Sequence, residues 1–96
     1  MTELTIVAHI QVDPAHVADI KPHFDDLVAG TRTEDGCITY VLHQDNDDPG
    51  HFMVYETWTN RPLWQDHMVA PCLKTFQSRT EGMITSAVIH EMTVAG

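Results

Sequence analysis

The sequence predicts an α+β fold in the order β-α-β-β-α-β, with a four-stranded antiparallel sheet and its helices on one side. Three observations predict it. Four stretches alternate apolar and mixed side chains with the two-residue period of a strand; two stretches between them carry apolar residues at helical spacing; and a polar run containing Pro and Gly separates the second and third strands as a hairpin loop does. The chain has 96 residues, 43% hydrophobic and 20% charged. That is a globular composition with room for one domain over residues 1–96.

The first strand is expected over Leu4 to Val12, where Ile6, Ala8, Ile10 and Val12 alternate with Thr5, Val7, His9 and Gln11. Asp13 and Pro14 then read as an N-cap and a first-turn proline. Val17, Ile20, Phe24, Leu27 and Val28 share one helical stripe, so the first helix should run to Gly30 or Thr33. Pro22 lies nearly opposite that stripe, where a kink rather than a break is expected. The turn Glu34-Asp35-Gly36 leads into a strand from Cys37 to Gln44, a loop from Asp45 to Gly50, and a third strand from His51 to Thr59. Phe52, Val54 and Trp58 line one face of that strand and Met53 and Tyr55 the other, so both faces want cover. Asn60 caps a second helix starting at Arg61 and Pro62; Pro71 interrupts it before a further segment through Leu73 and Phe76 to about Arg79. A last strand is expected from Met83 to about Thr93. This is the order of the ferredoxin-like split βαβ unit, with right-handed crossovers and both helical layers on one sheet face. The other face is left bare, and a second copy of the sheet is its simplest cover, which makes a homodimer.

Charge narrows the partners. Fourteen Asp and Glu against five Lys and Arg give a formal charge of -9, which repels phosphate backbones and anionic lipid headgroups, so neither nucleic acid nor membrane is an expected partner. The first residues lack the basic and cleavable pattern of a secretion signal, and no apolar run approaches the roughly 20 residues that span a bilayer. A cytoplasmic location is therefore expected, with Cys37 and Cys72 as free thiols. Seven histidines invite a metal reading, yet none has H-E-x-x-H spacing and there is no Cys-x-x-Cys; no metal is expected. The absence of Gly-x-Ser-x-Gly, of a phosphate loop and of a dinucleotide fingerprint disfavours nucleophilic hydrolysis, nucleotide use and a bound nicotinamide.

On the second helix Leu63, Trp64, His67 and Met68 share an arc of about 140°, which turns His67 inward. Glu56 sits on the third strand in the apolar row of Phe52, Val54 and Trp58. A buried carboxylate needs a partner, and His67 on the overlying helix is the natural candidate. A Glu56–His67 pair in a small apolar cavity accepts and returns a proton near neutral pH, as enolisation or oxidation of an acidic C–H or O–H requires. A satisfied core ion pair is the alternative.

The runs Glu34-Asp-Gly-Cys-Ile-Thr-Tyr, Val41-Leu-His-Gln-Asp, Phe52-Met-Val-Tyr-Glu-Thr-Trp and His67-Met-Val-Ala-Pro71 resemble the antibiotic biosynthesis monooxygenase (ABM) domain family from Val7 to about Phe76. Tyr55, Glu56, Trp58, His67 and Pro71 carry the resemblance most strongly. It implies a dimeric α+β barrel of ferredoxin-like subunits, each with a pocket between its helices and its own sheet. It also implies a choice of activities. The aromatic-polyketide oxygenases of the family carry an Asn and a Trp four apart where this chain has Asn60 and Trp64. The haem-degrading branch has a Trp where His67 stands and its axial His where this chain has Gln77, so haem is not expected. The isomerase branch shares the Tyr-Glu and His-x-x-x-Pro residues but needs donors for a phosphorylated hydroxy-dione of the autoinducer-2 type, and only Arg61 and Lys74 lie near the pocket. The leading expectation is a cofactor-independent monooxygenase acting with O2 on a small quinol, phenol or polyketide-like aromatic. In it His67 and Glu56 are catalytic, and Asn60, Trp64, Phe52 and Trp58 bind substrate. The isomerase and a non-catalytic dimeric ligand-binding domain are the alternatives.

Overall fold

Four antiparallel strands lie in the order β2-β3-β1-β4 in a computed structural model that describes residues 3–96; residues 1 and 2 of the expected domain lie outside the described residues. The strands are β1 (Leu4–Val12), β2 (Cys37–Gln44), β3 (His51–Trp58) and β4 (Ile84–Met92). β1 is central, and its alternation is realised residue by residue: Leu4, Ile6, Ala8, Ile10 and Val12 are buried and the residues between them half-buried. Across the sheet Ile6 faces Glu56, Ala8 faces Val54 and Ile10 faces Phe52. Alternation therefore carries Glu56 onto the same side as the apolar core.

The helices cover that side. The Asp13 carboxylate accepts the Ala15 N–H at 2.9 Å and caps one turn of 3₁₀ helix, which runs into α1 (Val17–Thr31). Ile20, Phe24, Leu27 and Thr31 form its buried face, and the helix continues unbroken through the exposed Pro22. Helices α2 (Arg61–Met68) and α3 (Pro71–Arg79) follow β3, separated at Pro71 as the sequence predicts. Phe24 ties the layers together, its ring 4.9 Å from that of Phe52 on the sheet and 5.1 Å from that of Phe76 on α3.

The resemblance suggests that the last strand, around Ile84 to Met92, reaches across to a second subunit's edge. β4 pairs antiparallel with β1 of its own chain, from Thr5 opposite Met92 to Val12 opposite Ile84. Pairing within the chain satisfies the open edge of β1 without the entropy loss of association.

The far side of the sheet is uncovered within the chain. Tyr55, Val88 and Met92 are 40%, 51% and 50% exposed there. The strand residues that alternate onto this face are Thr, Val, His, Gln, Met, Tyr and Ser, with no Asp, Glu, Lys or Arg among them. His9 and His51 on neighbouring strands meet on it, Nδ1 to Nε2, at 2.9 Å.

Candidate active site

A cavity of about 150 Å³ lies between the sheet and helices α2 and α3. Its walls are Val54, Leu73, Phe76, Ile84, Ala87 and Ile89, and its polar end is formed by Tyr40, Glu56 and His67. It opens along the edge of the fold, where Ile89 on β4 is 44% exposed. An apolar cavity of this volume accommodates one benzene-sized ring.

Glu56 is buried, and one carboxylate oxygen accepts the Trp58 indole N–H at 2.9 Å. Burial pushes its carboxyl up to about 7, with the Trp58 bond opposing and the Glu34 charge adding to the rise. Tyr40, opposite Glu56 across β2 and β3, is buried and its hydroxyl is held protonated far above the ordinary range, by burial first and the Glu56 charge second. Helix α2 brings His67 over them, its side chain 3% exposed. The imidazole centroid is 4.9 Å from the Trp58 ring and 5.6 Å from the Tyr40 ring.

The hydrogen-bonded Glu56–His67 pair expected from the sequence is replaced by two separate bonds. His67 Nδ1 lies 2.7 Å from Oε1 of Glu34, in the loop between α1 and β2, while Glu56 takes the Trp58 N–H. The local chain geometry accounts for both. Glu56 and Trp58 are two residues apart and so share a strand face. The Glu34 loop is carried under α2 by Gly36, whose φ of +83° is the left-handed conformation and whose Cα meets the Leu63 side chain so closely that a Cβ would sit 2.5 Å from it. The Thr59 N–H donates to the Gly36 carbonyl at 2.8 Å and ties the loop to the end of β3. Glu56 and His67 thus share a cavity without bonding. Among the described residues neither the second Glu56 oxygen nor His67 Nε2 has a hydrogen-bond partner.

The other expected site residues stand elsewhere. Phe52 and Trp58 are 1% and 0% exposed within the core, and Trp64 is buried in the core too. The Asn60 side-chain oxygen accepts the Leu63 N–H at 3.0 Å, which is a helix cap. None of the four lines the cavity. Tyr40, Leu73, Phe76 and Glu34 were not singled out for the site from the sequence. Tyr40 was readable from strand alternation, whereas Glu34, although it opens one of the runs that carry the resemblance, has no periodic signal that joins it to His67.

The lining includes no Lys or Arg. Arg61 pairs with Glu91 at 2.8 Å on the surface, and Arg32 donates to the Tyr40 carbonyl. A phosphorylated ligand would meet the Glu56 carboxyl and no cation, which disfavours the isomerase expectation. Among the described residues no three His, Cys, Asp or Glu side chains are grouped to hold a metal ion, and no helix is long and apolar enough to cross a membrane. A larger depression of about 290 Å³ lies between α1 and α3. Its ion pair, Arg79 with Asp26 at 3.9 Å, is solvent-exposed, and burial raises its Cys72 thiol, so it offers no activated group.

Comparison with known proteins agrees with this architecture. A family model described as "Antibiotic biosynthesis monooxygenase" matches residues 4–79. A solved structure described by that same name superposes with a TM-score of 0.92 at 24% identity, covering 97% of this chain and 99% of the other. PA3566 from Pseudomonas aeruginosa superposes with a TM-score of 0.92 at 28% identity over 100% of this chain and 97% of its own. Rv0793 from Mycobacterium tuberculosis is 22% identical over 85 residues, 88% of this chain and 83% of that protein. The sequence of sll1783 from Synechocystis is 22% identical over 84% of this chain, which spans 55% of that protein's length. With the family model matching most of its length and the same ferredoxin-like architecture in the solved structures, the chain belongs to the antibiotic biosynthesis monooxygenase family.

Proposed function

We propose that the protein is a cofactor-independent oxygenase of a single-ring phenol or quinol, acting as a homodimer. The observation that carries the reading is that His67 and Glu56, each with one polar atom unpartnered among the described residues, stand at the polar end of an apolar cavity the size of one aromatic ring. Membership of a family described as monooxygenases supports oxygen chemistry over other uses of such a cavity.

In this reading His67 takes the phenolic proton and the electron pair left on oxygen delocalises onto a ring carbon. That carbon reduces O2 and bonds to it. The O–O bond then breaks as the C–H proton leaves. One oxygen atom is kept as a carbonyl, and the other departs as water with the two protons taken from the substrate. All four electrons come from the substrate, so no outside reductant is required. Glu56, titrating at about 7, is half-protonated near neutrality and returns a proton to the departing oxygen.

A second copy of the chain covers the bare sheet face. Val41, Tyr55, Val88 and Met92 are exposed together on that face, and clustered apolar side chains of this kind mark an association surface. The absence of formally charged residues on that face lets two subunits of charge -9 meet without close like-charge contacts.

Oxygen uptake by metal-free protein over a panel of phenols and quinols tests the reading. Uptake above buffer autoxidation that is lost in His67→Ala supports it. Thermal-shift evidence that the same compounds bind, with no uptake, overturns it.

A further inference from the structure

We propose that Glu34 is the positioning residue of this site: by accepting the Nδ1 proton of His67 it fixes the imidazole tautomer that leaves Nε2 as the base facing the cavity. The inference rests on the acid–base reading of the cavity and adds a residue that neither the family match nor the sequence pattern assigns. An ionised carboxylate only accepts hydrogen bonds, so at 2.7 Å the proton between the two groups belongs to Nδ1. A neutral imidazole has a single N–H, and with that proton on Nδ1 the lone pair is on Nε2.

The ring forms a partition. On one side His67 borders the inner cavity with Tyr40 and Glu56; on the other it borders a cleft of about 220 Å³ with Glu34, Asp35, Leu63 and Asp66. Its Nδ1 is engaged on the Glu34 side, where the Glu34 side chain is 19% exposed against 3% for His67. When Nε2 takes a ligand's proton, the ligand O–H bond breaks and its electron pair stays on oxygen. The imidazolium that forms has the Glu34 carboxylate against its other N–H and the Trp58 ring beside it. The loop geometry suits a fixed partner. The Glu34 N–H donates to the Thr31 carbonyl at 3.0 Å, its carbonyl accepts from the Cys37 N–H at 3.3 Å, and Gly36 is locked between Thr59 and Leu63.

Long-range proton–nitrogen NMR of the His67 ring in the whole chain near neutral pH tests this directly. The wild-type protein should display Nδ1–H with an unprotonated Nε2. Glu34→Gln, whose amide oxygen still accepts, should keep that pattern. Glu34→Leu should shift the ring toward the Nε2–H form that free histidine favours. Nε2–H as the main form in the wild type, or an unchanged pattern in Glu34→Leu, would overturn the assignment. Should Glu34→Leu fail to fold, the wild-type spectrum alone still decides. Because the readout needs no turnover, absence of oxygen uptake with Nδ1–H in place counts against the oxygenase reading and leaves the role of Glu34 standing.

Discussion

Glu34 and His67 lie thirty-three residues apart in the chain, and a carboxylate oxygen of the first sits 2.7 Å from Nδ1 of the second. The contact joins the loop after α1 to the middle of α2. It leaves Glu56, the carboxyl that strand alternation assigns to the site, bonded to Trp58 and otherwise free within the cavity.

Glu56 gives the protein a defined pH dependence. Its carboxyl rises from an ordinary 4.5 to about 7 on folding because burial penalises the charge. The native state therefore binds more protons than the unfolded state between those values, so stability falls as pH rises from about 4.5 to 7 and stays reduced above it. Glu56→Gln keeps an acceptor for the Trp58 N–H and removes the ionisation. It should stabilise the protein by roughly 1–3 kcal/mol at about pH 8, with little effect near pH 4.5, in thermal melts across that range.

Asn60→Ala separates capping from substrate binding. The Asn60 oxygen is engaged by the Leu63 N–H and the residue is off the cavity wall. The variant should lose about 1 kcal/mol of stability in denaturant titrations, while its affinity for aromatic ligands stays unchanged.

Gly36→Ala should be costly for so small a change. It forces a Cβ into the left-handed region at φ +83° and against Leu63. Left-handed strain and overpacking together amount to roughly 2–4 kcal/mol, visible as a fall in Tm of at least about 8 °C.

Tyr55→Asp puts a charge on the uncharged sheet face. In sedimentation at low micromolar concentration the wild-type chain should run as a dimer and the variant as a monomer of lower stability. A well-folded wild-type monomer there contradicts the paired-sheet assembly.

The fold was legible because its signals are local. The Leu4–Val12 alternation, the Asp13-Pro14 helix start, the stripe from Ile20 to Leu27 and the break at Pro71 each depend on residues a few positions apart, and all four recur in the structure. Periodicity likewise gave the inward turn of His67 and the burial of Glu56. It does not give which partner a buried group selects. Glu34 reaches His67 through a left-handed turn at Gly36 and the close approach of Leu63, a tertiary arrangement with no periodic signature. The oxygenase expectation places Trp58 and Phe52 among the substrate-binding residues. They are instead roofed by α1 and α2, and the cavity forms further along, where the small Ala8 and Ala87 leave room beneath α3.

The most direct test of the central claim is turnover under heavy-isotope dioxygen, with metal-free protein, a para-unsubstituted phenol and mass analysis of product and water. The account predicts one labelled oxygen atom in the quinone product and one in water per O2 consumed, with both signals absent in His67→Ala. Product oxygen drawn from solvent, or equal turnover by His67→Ala, would contradict it.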